Sequence, residues 1–382
     1  MKLAPQHAAA RLDRVRAHMA RAAVDALAVT HLPNVQYLTG FIGSAGAAIV
    51  LRDACLLVVD FRYVTYASEL MAVLDGVVRV ETFARSYDEA IVDLLGKAGV
   101  ARTGIEAAYL PVSRFNAISA GLASRAPLPL HSDARTPVLA PTERLVESAR
   151  IIKDTAEIEA LREGGRRLGT IAAGVPALVR EGRTEREIAF DIELAMRSAG
   201  FSRPAFETIV ASGPNSVLPH ARPTGRAIQA GDPTVLDFGG VYDGYCVDLT
   251  RTVQLGGLSG PMAKLYAAVA EAQEAAIAAV RPGVASSAVD AAARSVLERH
   301  GLGEAFGHAT GHGLGLEVHE EPRIAKPSAR LPDVALEAGM VFTIEPGAYL
   351  PGWGGVRIED DVLVTDDGVE VLTDVTTELI EV

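Results

Sequence analysis

Four acidic residues between positions 237 and 359 sit in company that an ordinary protein core does not tolerate. Asp237 lies in VLDFGG and Asp248 in CVDLT, both apolar strand contexts. Glu345 stands in TIEPG and Glu359 in VRIEDD. A carboxylate buried in a strand is costly unless it is paired or metal-bound. Asp237 and Asp248 flank a YDGY turn at 242–245, which predicts a β-hairpin with both carboxylates on one face. His312 adds an imidazole from the glycine-flanked run GHATGHGLGLEVHE. These five residues form a hard, oxygen-rich donor set. Two divalent cations sharing bridging carboxylates would stabilise it, and without them four like charges repel.

Each residue also has a plain structural explanation. Asp243 sits in the hairpin turn, where Asp is common, and reads as structural. Glu345, before Pro346, could be a loop acid. Glu359 runs into Asp360 and Asp361 and could belong to a solvated acidic stretch. Taken singly, Glu345 and Glu359 favour these plain readings; the set of five in one region favours metal. His308 and His312 are four apart, as in a helical zinc pair, but Gly307, Gly311, Gly313 and Gly315 argue against a helix. A strand or loop whose backbone approaches the site closely is expected instead. One of these histidines then suffices as a ligand, and the others can hydrogen-bond a substrate or a developing oxyanion. His220, by itself, reads as a surface residue.

Chemistry of this set would be hydrolytic. Two closely spaced cations bind one water, lower its pKa towards neutrality and hold the resulting hydroxide for attack on a carbonyl. Glu345 can be both ligand and proton shuttle. Competing enzyme classes lack their marks: there is no nucleophile elbow, no P-loop and no dinucleotide fingerprint. A net charge of −12 argues against nucleic acid as a partner. Two cysteines, Cys55 and Cys246, give no disulfide framework and suit a reducing compartment. The first residues read as a charged amphipathic helix rather than a signal peptide, and no apolar run reaches membrane-spanning length, so a cytoplasmic protein is expected.

The 382 residues suggest two domains. Strands alternate with helices up to about residue 125, implying an α/β domain. A turn at Pro33-Asn34 is expected to precede VQYLTGF. The proline-rich stretch APLPLHSDARTPVLAPTE reads as a linker, placing the boundary near 145/146. The second domain, 146–382, opens with two capping-box helices, Asp154 with Glu157 and Thr184 with Glu187. Further helices and short strands then imply an α+β layer with the acidic residues on the inner sheet face.

On these residues the chain resembles the M24 metallopeptidases of the prolidase and aminopeptidase P type. HLPNVQYLTGFIGSAGAAIVL and LLVVDFRY resemble the creatinase/prolidase amino-terminal domain; the five-ligand pattern, complete and in order, resembles the pita-bread catalytic domain. The resemblance implies an Xaa-Pro dipeptidase or aminopeptidase acting on peptides with proline at the second position. It implies that Asp237 holds one metal, His312 and Glu345 the other, and that Asp248 and Glu359 bridge. Glu345 is then the acid/base, with His220, His308 and His319 as further site histidines. Arg323 matches an arginine that meets the proline carboxylate, and Arg357 a second site arginine. Manganese or cobalt is implied, with zinc or iron permitted by the ligand chemistry, and a homodimer is implied too. A creatinase-like small-amide hydrolase, or a binding protein on the same fold, is the alternative. Creatinase lacks the metal set, which is intact here.

Overall fold

The computed structural model describes residues 3–125, 137–257, 260–329 and 332–382. The chain divides into two compact units, Met1–Arg150 and Ile151–Val382. The division follows the short helix Glu147–Arg150, a little beyond the expected 145/146. No helix among the described residues is long and apolar enough to cross a membrane.

The first unit is built on one mixed sheet. Its strands are β1 (Ala26–Val29), β2 (Ala47–Leu51), β3 (Cys55–Val59), β4 (Arg79–Thr82), β5 (Arg102–Glu106) and β6 (Val138–Thr142), in the order β4-β3-β2-β1-β5-β6. β1, β2 and β3 pair antiparallel; the remaining neighbours are parallel. β1 and β3 are buried along their whole length, which is what a sheet covered on both faces demands of its sequence. Two expectations are corrected here. Pro33-Asn34 is not a turn but the opening of a helix, Leu32–Thr39, closed by left-handed Gly40. Proline fits there because the first helical N–H has no intrahelical partner to lose. The proline-rich stretch is not all linker: Val138–Thr142 pairs with β5 as an edge strand, where Pro141 is tolerated. Residues 126–136 of that stretch, His131 included, lie outside the described residues.

The second unit carries the twelve remaining strands: β7 (Arg203–Pro204), β8 (Ile209–Ser212), β9 (Pro233–Tyr242), β10 (Tyr245–Gln254), β11 (Gly311–Gly313), β12 (Glu320–Ile324), β13 (Val341–Ile344), β14 (Gly347–Leu350), β15 (Gly354–Arg357), β16 (Asp360–Val364), β17 (Val369–Val371) and β18 (Ile380–Glu381). One sheet runs β18-β10-β9-β7 with β8 also on β9; another runs β12-β11-β13-β16-β17; β14 and β15 form a ribbon. Except for β10 with β18, the pairing is antiparallel.

Both capping boxes form, at Asp154 and Thr184, and they start the helices Thr155–Ala172 and Glu185–Ser198. The first of these helices lies close on the hairpin because a Cβ on Gly164 would stand 3.1 Å from Val247. Its buried stripe beyond the capping Glu157 is small residues with Leu161 and Leu168, while Ile158 and Ile171 are half-buried. Helices Gly260–Ala279 and Ser286–Arg299 cover a core of Leu265, Val269, Val289 and Val296 with Phe342, Ile344, Val356, Ile358 and Val362. Strand alternation then sends Arg357, Glu359 and Asp361 to the other face.

Candidate active site

The hairpin is built as its sequence requires. Asp243 and Gly244 both take positive φ, 47° and 92°, making the two-residue turn whose twist matches the strands. Asp237 stands opposite Thr250 and Asp248 opposite Gly239. Asp248 lies two residues from Thr250, so it shares the face of Asp237. Across from the hairpin, the Glu359 N–H donates to Thr250 O at 3.1 Å. Thr250 Oγ1 donates to Glu359 Oε2 at 2.6 Å. The Asp248 N–H donates to Asp361 Oδ2 at 2.9 Å.

His312 reaches this floor from β11. A Cβ on Gly311 would lie 1.8 Å from Thr343 O, and one on Gly313 2.2 Å from Glu321 O. No side chain fits at either position, which explains the glycines around the histidine. His312 Nδ1 lies 3.1 Å from Gly313 O, and a carbonyl only accepts, so the proton sits on Nδ1. Nε2 is left with its lone pair toward the site, 3.7 Å from Glu345 Oε1. Burial, helped by the neighbouring His319, pushes His312 down to about 3 and keeps it neutral.

Asp248, His312 and Glu359 each offer one donor atom within 4.8 Å of one another. Asp248 Oδ1 is buried with no hydrogen-bond partner. Burial raises Asp248 and Glu359 well above the usual carboxylate range; the charge of Asp237 adds to it at Asp248, and that of Asp248 at Glu359. Asp237 is raised by burial against the pull of Arg357. Burial lifts Glu345 to about 8. Buried, mutually repelling oxygens with an orphaned lone pair and a neutral imidazole fit divalent cations by donor chemistry. The solvated-run reading of Glu359, Asp360 and Asp361 fails: all three are buried. Asp360 instead binds Arg251 and Gln273, both at 2.8 Å.

Beside this floor opens a cavity of about 170 Å³ lined by His220, Asp237, His308, His312, His319, Arg323, Glu345 and Arg357. Eight of the ten candidate residues therefore meet at one cavity, and Asp248 and Glu359 lie beneath it. His220 and His319 are exposed and Arg323 is half-buried. His319 packs edge-on against His312 with ring centres 4.4 Å apart. Arg357, matched above to a second site arginine and expected to bind substrate, lines the cavity but is buried and bonded within the protein. It pairs with Asp237, and donates to Thr250 Oγ1 at 3.2 Å, Pro219 O at 3.3 Å and the Tyr349 hydroxyl at 2.7 Å.

Tyr349 was not among the expected residues. Its hydroxyl accepts from Arg357 and lies 3.1 Å from His308 Nε2. His308 Nδ1 donates to Ala309 O at 2.8 Å, so Nε2 accepts from Tyr349. Burial lowers His308 to about 4. The sequence signal was slight: Tyr349 is an aromatic residue four positions after Glu345, in register opposite Gly355, two residues before Arg357. Thr250 and Asp361 were missed as well.

The catalytic half matches Metallopeptidase family M24 over residues 159–366, and the first half matches the Creatinase/Prolidase N-terminal domain over 11–152. The chain belongs to metallopeptidase family M24. An Xaa-Pro dipeptidase of Pyrococcus horikoshii is 32% identical over 97% of this chain and 98% of that protein. A solved structure described as an Xaa-Pro dipeptidase from Bacillus anthracis is 35% identical with TM-score 0.90, covering 98% of this chain and 100% of that one. An X-Pro aminopeptidase structure from Thermotoga maritima is 32% identical with TM-score 0.83, covering 94% and 98%. As an M24 metallopeptidase the chain has the expected α/β amino-terminal domain and pita-bread catalytic domain, and its family works with divalent metal ions.

Proposed function

We propose that this M24 protein is an Xaa-Pro dipeptidase. The observation that carries this reading is Arg323 at the mouth of a small cavity directly beside the acidic floor. Asp237 would hold one cation, His312 and Glu345 the second, with Asp248 and Glu359 bridging. Bound there, the two cations would supply a Lewis-acid centre that acidifies a shared water and polarises the scissile carbonyl.

The protein's own groups do the rest. The Glu345 and Asp237 side chains both open on the cavity, 19% and 12% exposed, but Asp237 is tied to Arg357, which leaves Glu345 as the carboxylate to act on substrate. It takes the proton of the attacking water and passes it to the departing prolyl nitrogen. His220 and His319 stand at the cavity where they can donate to the carbonyl oxygen. Arg323 clamps the carboxylate of a dipeptide, for which its planar fork is suited. Arg357 acts through Asp237 and Tyr349 rather than on substrate. The tertiary amide of an Xaa-Pro bond calls for such a dedicated site.

The likeness to the Thermotoga structure supports a second reading, an Xaa-Pro aminopeptidase. The complete donor set speaks against a metal-free amide hydrolase or a binding protein. Within this proposal the native metal is manganese or cobalt, with zinc or iron also accommodated by the donors, and the protein is a homodimer. The buried free thiols Cys55 and Cys246 support a cytoplasmic location.

The test is hydrolysis of an Xaa-Pro dipeptide and a matched Xaa-Pro-Yaa tripeptide, each after chelation with and without added Mn²⁺. Metal-dependent cleavage of the dipeptide alone supports the dipeptidase. Cleavage of the tripeptide moves the assignment to an aminopeptidase, and cleavage of neither sinks both.

A further inference from the structure

Glu185 opens the helix Glu185–Ser198, and it is fully buried. Burying a carboxylate is costly unless its lone pairs are met. Here they are met by donors from the two ends of one loop. Oε1 accepts from the Ser212 N–H and hydroxyl, both at 2.8 Å, and from Asn215 Nδ2 at 3.0 Å. Oε2 accepts from the Thr224 N–H at 2.9 Å and its hydroxyl at 2.6 Å. The helix N-terminus adds two more ties: the Glu185 N–H to Arg226 O at 3.1 Å, and the Arg186 N–H to Thr224 O at 3.2 Å.

These bonds bracket residues 213–223, and His220 stands within that span on the cavity wall. The loop is also tied on its inner side. The Gly355 N–H donates to Ser216 Oγ at 2.9 Å, and Arg357 reaches Pro219 O. His220 itself is exposed, so burial does little to fix it. Its placement therefore depends on where the loop is anchored. A single charged group that gathers both ends fixes that anchor more tightly than apolar packing does, because hydrogen bonds are directional.

We propose that Glu185 is the positioning residue for His220, holding the 213–223 loop so that the imidazole stays at the cavity. The inference rests on the dipeptidase reading only for what His220 does once placed. Glu185→Gln is the informative substitution. It keeps the volume but turns an NH₂ group towards backbone N–H donors that cannot accept, so one arm of the clamp opens. Thr224→Val is the milder companion, removing at an exposed position the hydroxyl that donates to Glu185 and accepts from the Arg226 N–H.

Two readouts are needed. Amide hydrogen exchange requires no substrate: Glu185→Gln should speed exchange in 213–223 and leave the hairpin 233–254 unchanged, with Thr224→Val following more weakly. In kinetics on the Xaa-Pro dipeptide, Glu185→Gln should lower kcat/KM about tenfold, as outer partners of site residues do, at unchanged metal content. In a His220→Ala background the same change should cost less than about twofold, because the two effects share one path. Unchanged exchange in the loop, equal losses with and without His220, or lost metal would each overturn the proposal. A silent His220→Ala would instead remove His220 from the dipeptidase reading, and a loop that still loosens would leave the clamp standing.

Discussion

On the floor of the site, Asp248 and His312 sit on paired strands and Glu359 is bridged to Thr250; all three are buried. On the rim, His220, His308 and His319 lie outside strands, and His220 and His319 are exposed. The floor is fixed by backbone register, so its side chains need few partners of their own. The rim is fixed by buried carboxylates behind it: Glu185 gathers the loop of His220. Asp290, 1% exposed, takes Thr310 N–H and hydroxyl and pairs with Arg294, whose guanidinium reaches the carbonyls of Phe306 and His308. The groups proposed to hold cations are rigid because strands are rigid. The groups proposed to meet substrate sit on loops and need clamps.

The sharpest break of this contrast is Asp248→Asn. It should cost metal affinity at least the ~10–100-fold typical of outer partners, and activity with it. Retained activity in a variant shown to lack metal would refute the floor's role. His319→Ala, on the rim, should lower kcat about a hundredfold, the scale of one lost donor or acid, with metal content kept. If metal departs instead, His319 belongs with the floor through its packing on His312. Arg323→Ala should raise KM for the dipeptide about tenfold or more, since a charge-assisted bond is worth ~1.5–3 kcal/mol, and should leave a tripeptide less affected. Equal losses on both would move the carboxylate clamp elsewhere.

The smallest effect is on stability. Carboxyls raised by burial bind protons in the folded metal-free protein that the unfolded chain has released, so stability falls as pH rises. The window runs from the ordinary 4.5 up to about 8, the value for Glu345. The melting midpoint of chelated protein should fall across that window, and added Mn²⁺ should restore more at its upper end. A chelated protein that gains stability with rising pH would mean that the acidic floor is relieved by some other means.

The local parts of this architecture were legible in the chain. The capping boxes, the Asp243-Gly244 hairpin and the strand parity of Asp237 and Asp248 depend on neighbours within a few residues, and all of them form as expected. What escaped depends on distant partners. Asp361 looked like part of a solvated run because its donor, the Asp248 N–H, is more than a hundred residues away. Tyr349 has no local mark because its role comes from Arg357 across the β14–β15 ribbon and from His308 on another loop. The helix at Leu32–Thr39 was hidden by Pro33, which signals a turn and a helix start equally well.

The two glycines around His312 carry a consequence for anyone who would redesign this protein. Each fails on contact with a neighbouring carbonyl oxygen, before any chemistry is asked of it. A combinatorial library spanning 308–316, screened only for soluble expression, should return glycine at 311 and 313 among otherwise varied clones. A diversity scan blind to catalysis would thus mark the position of the proposed ligand between them, and no drift through intermediate residues could move that histidine along the strand.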